Sequence, residues 1–448
     1  MCVSKPPQVL TAVALICGGL VAQPSQGQDS NTVAIIGATV IPMDRERVLL
    51  DHTVLIVDHR IAVVGPRSEV RVPDDATVIE GSGRFLMPGL ADMHVHLRNA
   101  EDMPVYIANG VTTVLDMGGP ATRLQWRSQT ASGEVLGPRM FVSRFINGRG
   151  PGGGASGVGD VEGARDIVRE SVRQGYDYLK VYNALSTPQF DAIIEEAALG
   201  DIAVIGHGVR DPGLEHILES GMRMVAHAEE YIYTFFRGCT DTSRMDEAIA
   251  LTQRTGAYLL PNLSAYEIIA LQWGKPPVVD SLLAGPEHRY LHPSFRSSWQ
   301  GGRYTARSGG LRQCVVFLRT LTKAFADAGI PLLLGTDSPG IPGMYPGYSI
   351  HNDLRNMVES GLTPFQALSA GTRVAGEFAR ATVSGVDDFG VIRIGARADL
   401  VLLASNPLAD VANVRRPLGV VVNGRWWSAV ALQDQLDALA ARFGLTGL

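Results

Sequence analysis

The chain has 448 residues, 46% of them apolar and 19% charged, enough for a large core and for more than one ordinary domain. A formal net charge of −6 speaks against nucleic acid or an anionic membrane as a partner. Four cysteines in this length are too few for a disulfide framework.

The first segment reads as targeting. Lys5 precedes an apolar run over 9–22, and the polar stretch QPSQGQDS follows, with small residues at Ser25 and Gly27. This predicts a secretory signal over 1–27 and a periplasmic or secreted protein, with no membrane contact beyond that segment. The run is shorter than the roughly 20 residues of a bilayer span, and an uncleaved anchor is the alternative. Cys17 lacks the small preceding residues of a lipidation site. Removal of the signal leaves Cys239 and Cys314, either free or joined by one bridge.

Residues 30–87 carry short, β-branched, alternating runs such as VAIIGATVIPM and TVLIVDHRIAVVG, which predict a small antiparallel sheet. A matching segment over 381–430 includes ADLVLL and LGVVVNGRWW, with Asn423-Gly424 as a hairpin turn. Together they predict one β-sandwich domain built from both ends of the chain, followed by a C-terminal helix over 431–448. Between them, residues 88–380 hold eight strand candidates: LADMHVHL, TTVLDMG, RMFVS, YLKVY, AVIGHG, RMVAHA, AYLLPNLS and PLLLGTDS. Helical spacing recurs between many of them, as in VEGARDIVRESVRQG. Buried parallel strands with crossover helices imply an α/β fold closed as a (β/α)8 TIM barrel. Long loops are expected at 147–159, which is glycine-rich, and at roughly 266–310 after the seventh strand; such loops are mostly functional.

The first barrel strand ends Asp92-Met93-His94-Val95-His96, and alternation puts His94 and His96 on one face, able to hold one ion together. Such a pair is weak evidence by itself and gains weight from its place at the start of the βα pattern. Lys180 interrupts the apolar strand Tyr178-Leu179-Lys180-Val181-Tyr182. Burial disfavours an ammonium, so it is either a snorkelling surface lysine or a neutral amine that has taken up CO2, whose carbamate would bridge two metals. His207, His227 and Asp337 end strands five, six and eight. Satisfied core histidines, or a helix cap for Asp337, are the plain alternatives. Six such residues at the C-terminal ends of barrel strands match where barrel enzymes keep their chemistry.

The order His94-x-His96, Lys180, His207, His227, Asp337, with PGLADMHVHL before it and GARADLVLL behind, resembles the amidohydrolase superfamily over nearly the whole mature chain. LKVY, AHAEE and GTDS are most similar to its prolidase-like and imidazolonepropionase-related members. The resemblance implies two divalent metal ions, Zn2+ by ligand type. His94, His96 and Asp337 hold the deeper ion, His207 and His227 the second, and carbamylated Lys180 bridges. It further implies hydrolysis of an amide in a small-molecule substrate such as an N-acyl amino acid or dipeptide. A metal-bridging hydroxide would attack, with Asp337 as general base and then acid. Homo-oligomers are compatible with this class.

Candidate substrate residues are Tyr182, facing the pocket by alternation; Tyr231 and Tyr233 after strand six; Arg149 in the glycine-rich loop, as a carboxylate clamp or a solvated side chain; and His351, near the site or merely starting a helix. Prolidase-like relatives often carry a histidine-glycine pair after strand three, where this chain reads Gly150-Pro151-Gly152-Gly153-Gly154. That departure weakens the substrate assignment and leaves the metal ligands untouched. The alternatives are a one-metal cyclic-amide hydrolase or deaminase, which needs no lysine carbamate, and a lactone or phosphotriester hydrolase. A non-enzymatic barrel would be expected to have lost ligands, and all six are present.

Overall fold

Alternating runs at the chain ends and continuous apolar runs in the middle sort into two sheets. The computed structural model describes residues 32–149, 157–301 and 303–444. The expected signal over 1–27 lies outside the described residues, and among these no helix is long and apolar enough to cross a membrane. The strands in chain order are β1 (Thr32–Val40), β2 (Leu49–Val57), β3 (Arg60–Pro66), β4 (Thr77–Glu80) and β5 (Phe85–Pro88). There follow β6 (Leu90–Val95), β7 (Val111–Met117), β8 (Arg139–Ile146), β9 (Tyr178–Val181), β10 (Ala203–Gly206), β11 (Met224–Ala226) and β12 (Tyr258–Leu260). The chain ends with β13 (Leu400–Leu403), β14 (Gly419–Val422) and β15 (Arg425–Ser428).

Both chain ends share one sheet, ordered β15-β14-β13-β5-β1-β2-β3 with β4 also paired to β1. The join is the antiparallel pairing of β5 with β13, Met87 opposite Val401. Ile35 and Ile56 from one side of that join meet Leu400, Leu402 and Val421 from the other in one core, so the sheet curls on itself. Asn423 and Gly424 take the left-handed conformations (φ +50° and +75°) that a two-residue hairpin needs. The last helix, Ala429–Arg442, starts where the Ser428 side chain accepts the amide of Ala431.

β6 to β12 form a parallel sheet in sequence order. The eighth predicted run, 332–338, closes it without regular strand geometry. On one side Leu333 N donates to Leu259 O (2.9 Å); on the other Met93 N donates to Leu334 O (2.9 Å), Asp337 N to His94 O (2.7 Å) and His96 N to Ser338 O (2.7 Å). Backbone groups that would be orphaned at an open edge are thereby paired. Inside the ring, Met93, Leu115, Tyr178, Ile205, Leu260 and Leu333 pack with Phe378 beneath them, so the barrel is filled and the chemistry is confined to its mouth.

One expectation is corrected. Much of the 266–310 segment is helical, with helices Leu263–Gln272, Pro276–Leu283 and Pro293–Gln300 and a 3-10 turn at Pro286–Tyr290. Pro276, Pro286 and Pro293 stand at first-turn positions, where a missing N–H costs nothing. In the glycine-rich loop the base is zipped by Val158 N donating to Asn147 O (2.8 Å), and residues 150–156 lie outside the described ones. Cys239 and Cys314 are disulfide-bonded.

Candidate metal centre and substrate pocket

The six predicted donors converge at the mouth, and irregular backbone aims two of the histidines. Ala91 and Met93 point into the barrel core, whereas Val95 and Leu97 pack in the outer layer. Strict alternation would put His94 outside with Asp92. The register shift between Asp92 and Val95, where β6 gains one residue against β7, reverses the parity and turns His94 and His96 inward. At β11, Met224 and Ala226 face the core; His227 follows at φ +76° and swings the same way. Asp337 is likewise left-handed, at φ +64°. Non-glycine residues in this region cost free energy, and they cluster where geometry serves function.

His96 Nε2 stands 2.9 Å from Asp337 Oδ1, His94 Nε2 3.3 Å from the same oxygen, and His227 Nε2 3.9 Å from Oδ2. Lys180 Nζ is 3.0 Å from His94 Nε2. The His207 ring centroid lies 4.5 Å from that of His227 and 4.1 Å from that of Tyr182. Two rings have their tautomers set from behind. Asn262 gives its Nδ2 to Gly335 O (2.8 Å) and so presents Oδ1 to His94 Nδ1 at 3.2 Å. Glu230 Oε1 accepts from His207 Nδ1 at 2.8 Å. In both, Nε2 is left as a lone pair facing the cluster. Asp92 ties the first strand to the closing segment, accepting from Thr336 N (2.9 Å) and Thr336 Oγ1 (2.7 Å).

The electrostatics suit neutral donors. Burial, with Lys180 next to them, pushes His94 and His207 well below the usual imidazole range. Burial and the neighbouring His207 take His227 down to about 3. Burial lowers Lys180 to about 8, against the pull of Asp337 and Asp116. For Asp337 burial opposes ionisation, and His94 and His96 outweigh it, holding the carboxyl well below its usual range. The donor atoms of His94, His96 and Asp337 lie within 4.8 Å of one another, a group that can hold a divalent metal. The set fits such an ion chemically: imidazole lone pairs on His94 and His96 and an ionised carboxylate on Asp337.

Above this cluster lies a cavity of about 360 Å³, lined by His96, Lys180, Tyr182, His207, His227 and Asp337 together with Arg98, Phe145, Glu229, Ile269, Arg303, Tyr304 and Ile341. Of the predicted substrate residues only Tyr182 is on that wall. Tyr231 is buried away from it, its hydroxyl 2.7 Å from Thr252 Oγ1 and its ring edge-on to Phe325. Helical geometry after His227 turns it into the outer layer. Tyr233 sits exposed under Arg210, with 4.5 Å between guanidinium and ring. Arg149 donates through Nε to Gly157 O (3.0 Å) and so braces its own loop. His351 is buried inside helix Ser349–Glu359, among Asn109 and Arg415 rather than at the mouth.

Sequence reading missed Asn262, Asp92, Glu229, Glu230, Arg98, Arg303 and Tyr304. A signal existed for some of them: two acids at the second and third positions after His227, an acid in the buried first strand, and Arg98 two residues past His96. For Arg303 and Tyr304 there was none, because only the helical excursion after β12 brings them to the mouth.

A closed parallel barrel with histidine, lysine and aspartate donors at its C-terminal rim defines a hydrolase of the metal-binding barrel class. The sequence pattern of the amidohydrolase family matches residues 85–427, and the chain belongs to that family, hydrolases acting on carbon–nitrogen bonds. Among solved structures it is similar to a bottromycin amidohydrolase (TM-score 0.75, 22% identity, 93% of this chain and 91% of that one). It is also similar to a prolidase complexed with N-methylphosphonate-L-proline (TM-score 0.66, 23% identity, 89% and 99%). An adenine deaminase of Ruegeria pomeroyi is 32% identical over 93 residues, which span 20% of this chain and 15% of that enzyme.

Proposed function

We propose that the chain is a binuclear metal-dependent amidohydrolase cleaving the amide of a small substrate such as an N-acyl amino acid or a dipeptide. The observation that carries this reading is Lys180, 1% exposed with its amine 3.0 Å from His94 Nε2. A buried amine lowered toward neutrality is suited to take up CO2: a nitrogen–carbon bond would form, one proton would leave to solvent, and the carbamate would supply two oxygen donors. His94, His96 and Asp337 would hold the deeper ion, His207 and His227 the one nearer the mouth, and the carbamate would join them. When bound, the ions (Zn2+ in this reading) polarise the scissile carbonyl and supply a nucleophilic water near neutral pH. Asp337 takes the proton of the attacking water and returns it to the departing nitrogen, so that amide and water become a carboxylate and an ammonium, the acid's remaining proton passing to the amine. Tyr182 and Phe145 bound the cavity on the strand-three and strand-four side, and its size suits a small substrate. Likeness to a prolidase supports the dipeptide choice. The Cys239–Cys314 bond supports export to an oxidising compartment.

A one-metal deaminase or cyclic-amide hydrolase is the second reading, favoured by the adenine deaminase match and by the compactness of the His94–His96–Asp337 group. Metal analysis of protein prepared with zinc and bicarbonate separates the two. About two ions per chain are expected, and one would overturn the binuclear reading. A hydrolysis screen of dipeptides and N-acyl amino acids against lactams, lactones and phosphotriesters tests the bond class.

A further inference from the structure

Two adjacent glutamates follow His227, and the protein uses only one of them fully. Glu230 has both oxygens engaged, by His207 Nδ1 and by Arg210 Nη1, each at 2.8 Å. Glu229 lines the cavity with a side chain 13% exposed. Its Oε1 lies 3.6 Å from His227 Nδ1, and its Oε2 is buried with no hydrogen-bond partner among the described residues. A desolvated carboxylate oxygen in a substrate cavity is costly until a donor reaches it. Arg98 and Arg303 show the reverse imbalance. Both line the same cavity, and neither has a carboxylate partner among the described residues; their contacts are with the Phe295 and Tyr304 rings. Arg98 follows β6 and Glu229 follows β11, three positions apart around the closed ring. An unpartnered carboxyl and an unpaired guanidinium therefore enter the mouth from different sides. Phe145, Ile269 and Ile341 leave an apolar stretch of wall.

We propose that Glu229, together with Arg98 across the mouth and Arg303 on the same cavity wall, selects a zwitterionic substrate, a dipeptide with free ammonium and carboxylate ends, over an N-acyl amino acid that lacks the ammonium or a C-amidated dipeptide that lacks the carboxylate. The proposal rests on the amide-cleaving reading above. An ammonium brings donors to Glu229 Oε2, and a carboxylate accepts the planar guanidinium donors. A plain acyl group would face Glu229 with no ammonium to satisfy it, and a C-terminal amide would leave the arginines without an anion. Mismatched buried polar groups discriminate more strongly than added apolar contact does.

The test compares alanyl-leucine, N-acetyl-leucine and alanyl-leucine amide on the zinc-loaded enzyme and on Glu229→Gln and Arg303→Gln, with metal content measured for each protein. Wild type is expected to favour alanyl-leucine in kcat/KM by at least about tenfold over either of the other two probes, the scale of one charge-assisted hydrogen bond. Glu229→Gln should collapse the preference over N-acetyl-leucine, and Arg303→Gln the preference over the amide, chiefly through KM and with metal content retained. Equal rates on all three probes with wild type overturn the proposal. So does a Glu229→Gln enzyme that loses metal while its substrate ratios stay unchanged, since Glu229 then serves His227 alone. No turnover of any probe refutes the amide reading instead, and calorimetric binding of alanyl-leucine against N-acetyl-leucine still decides the charge pairing: tighter binding of the dipeptide supports it, equal binding overturns it.

Discussion

Glu230 holds His207 from behind: its Oε1 meets His207 Nδ1 at 2.8 Å, while Arg210 fixes the other oxygen at 2.8 Å. The pair sets the histidine tautomer and ring direction without touching the cavity side of the ring. Glu230→Ala should therefore weaken the metal held by His207 and His227 by about 10- to 100-fold, leaving the His94–His96–Asp337 ion in place. Titration of the apoprotein with zinc against a chelator would resolve two affinities. An unchanged weaker site would show that Glu230 does not act on His207.

Lys180 offers the sharpest mutational test. Lys180→Ala is expected to lose metal and at least about 99% of kcat, because removing a bridging ligand unseats both ions. If a carbamate is the true ligand, propionate added to the variant should restore part of both, its carboxylate standing in for the lost one. Full activity without any additive would refute the role assigned to Lys180.

Asp102 is buried, and neither of its oxygens has a hydrogen-bond partner among the described residues. Burial, with the nearby charge of Glu101, raises its carboxyl from 3.8 to about 7. Between those values the folded chain keeps a proton that the unfolded chain has released. This group's contribution to stability thus falls as pH rises from about 4 to about 7 and is flat above. Asp102→Asn should stabilise the protein by about 1–3 kcal/mol at pH 8 and by nothing measurable at pH 4. Urea unfolding at the two pH values checks the sign, and an equal effect at both would contradict it.

The Cys239–Cys314 bond spans 75 residues. Constraint of the unfolded chain over such a loop is worth about 2–4 kcal/mol. Cys239→Ser should lower Tm, and a reductant should bring the wild type down to the variant while leaving the variant unmoved. A wild-type Tm indifferent to reductant would show that the bond contributes nothing to stability.

The barrel was legible because eight buried apolar runs persist whatever the exact register, and all eight are found around the ring. The six donors were legible because polar residues at the ends of such runs stand out against hydrophobic surroundings. Nothing local announced which way two of the histidines point. His94 faces inward only because β6 carries one residue more than β7 opposite it, and His227 because its backbone turns left-handed at φ +76°. Both are relations between a strand and its neighbours, and periodicity along one strand does not contain them.

The same reason explains the substrate side. Tyr182 lines the cavity, on the side its place in the pleat implies, because direction there is set by parity. Tyr231, Tyr233, Arg149 and His351 lie on helices and loops, where direction is set by what packs against them, and each turned elsewhere. Arg303 and Tyr304 reach the mouth through a helical excursion in a segment expected to be loop. Sequence alone determined the family, the barrel and the metal-type donors, since hydrophobic periodicity and residue chemistry are local. Tertiary structure decided which guanidiniums and carboxylates face the cavity without partners, because pairing inside a protein is settled only when every neighbour is in place.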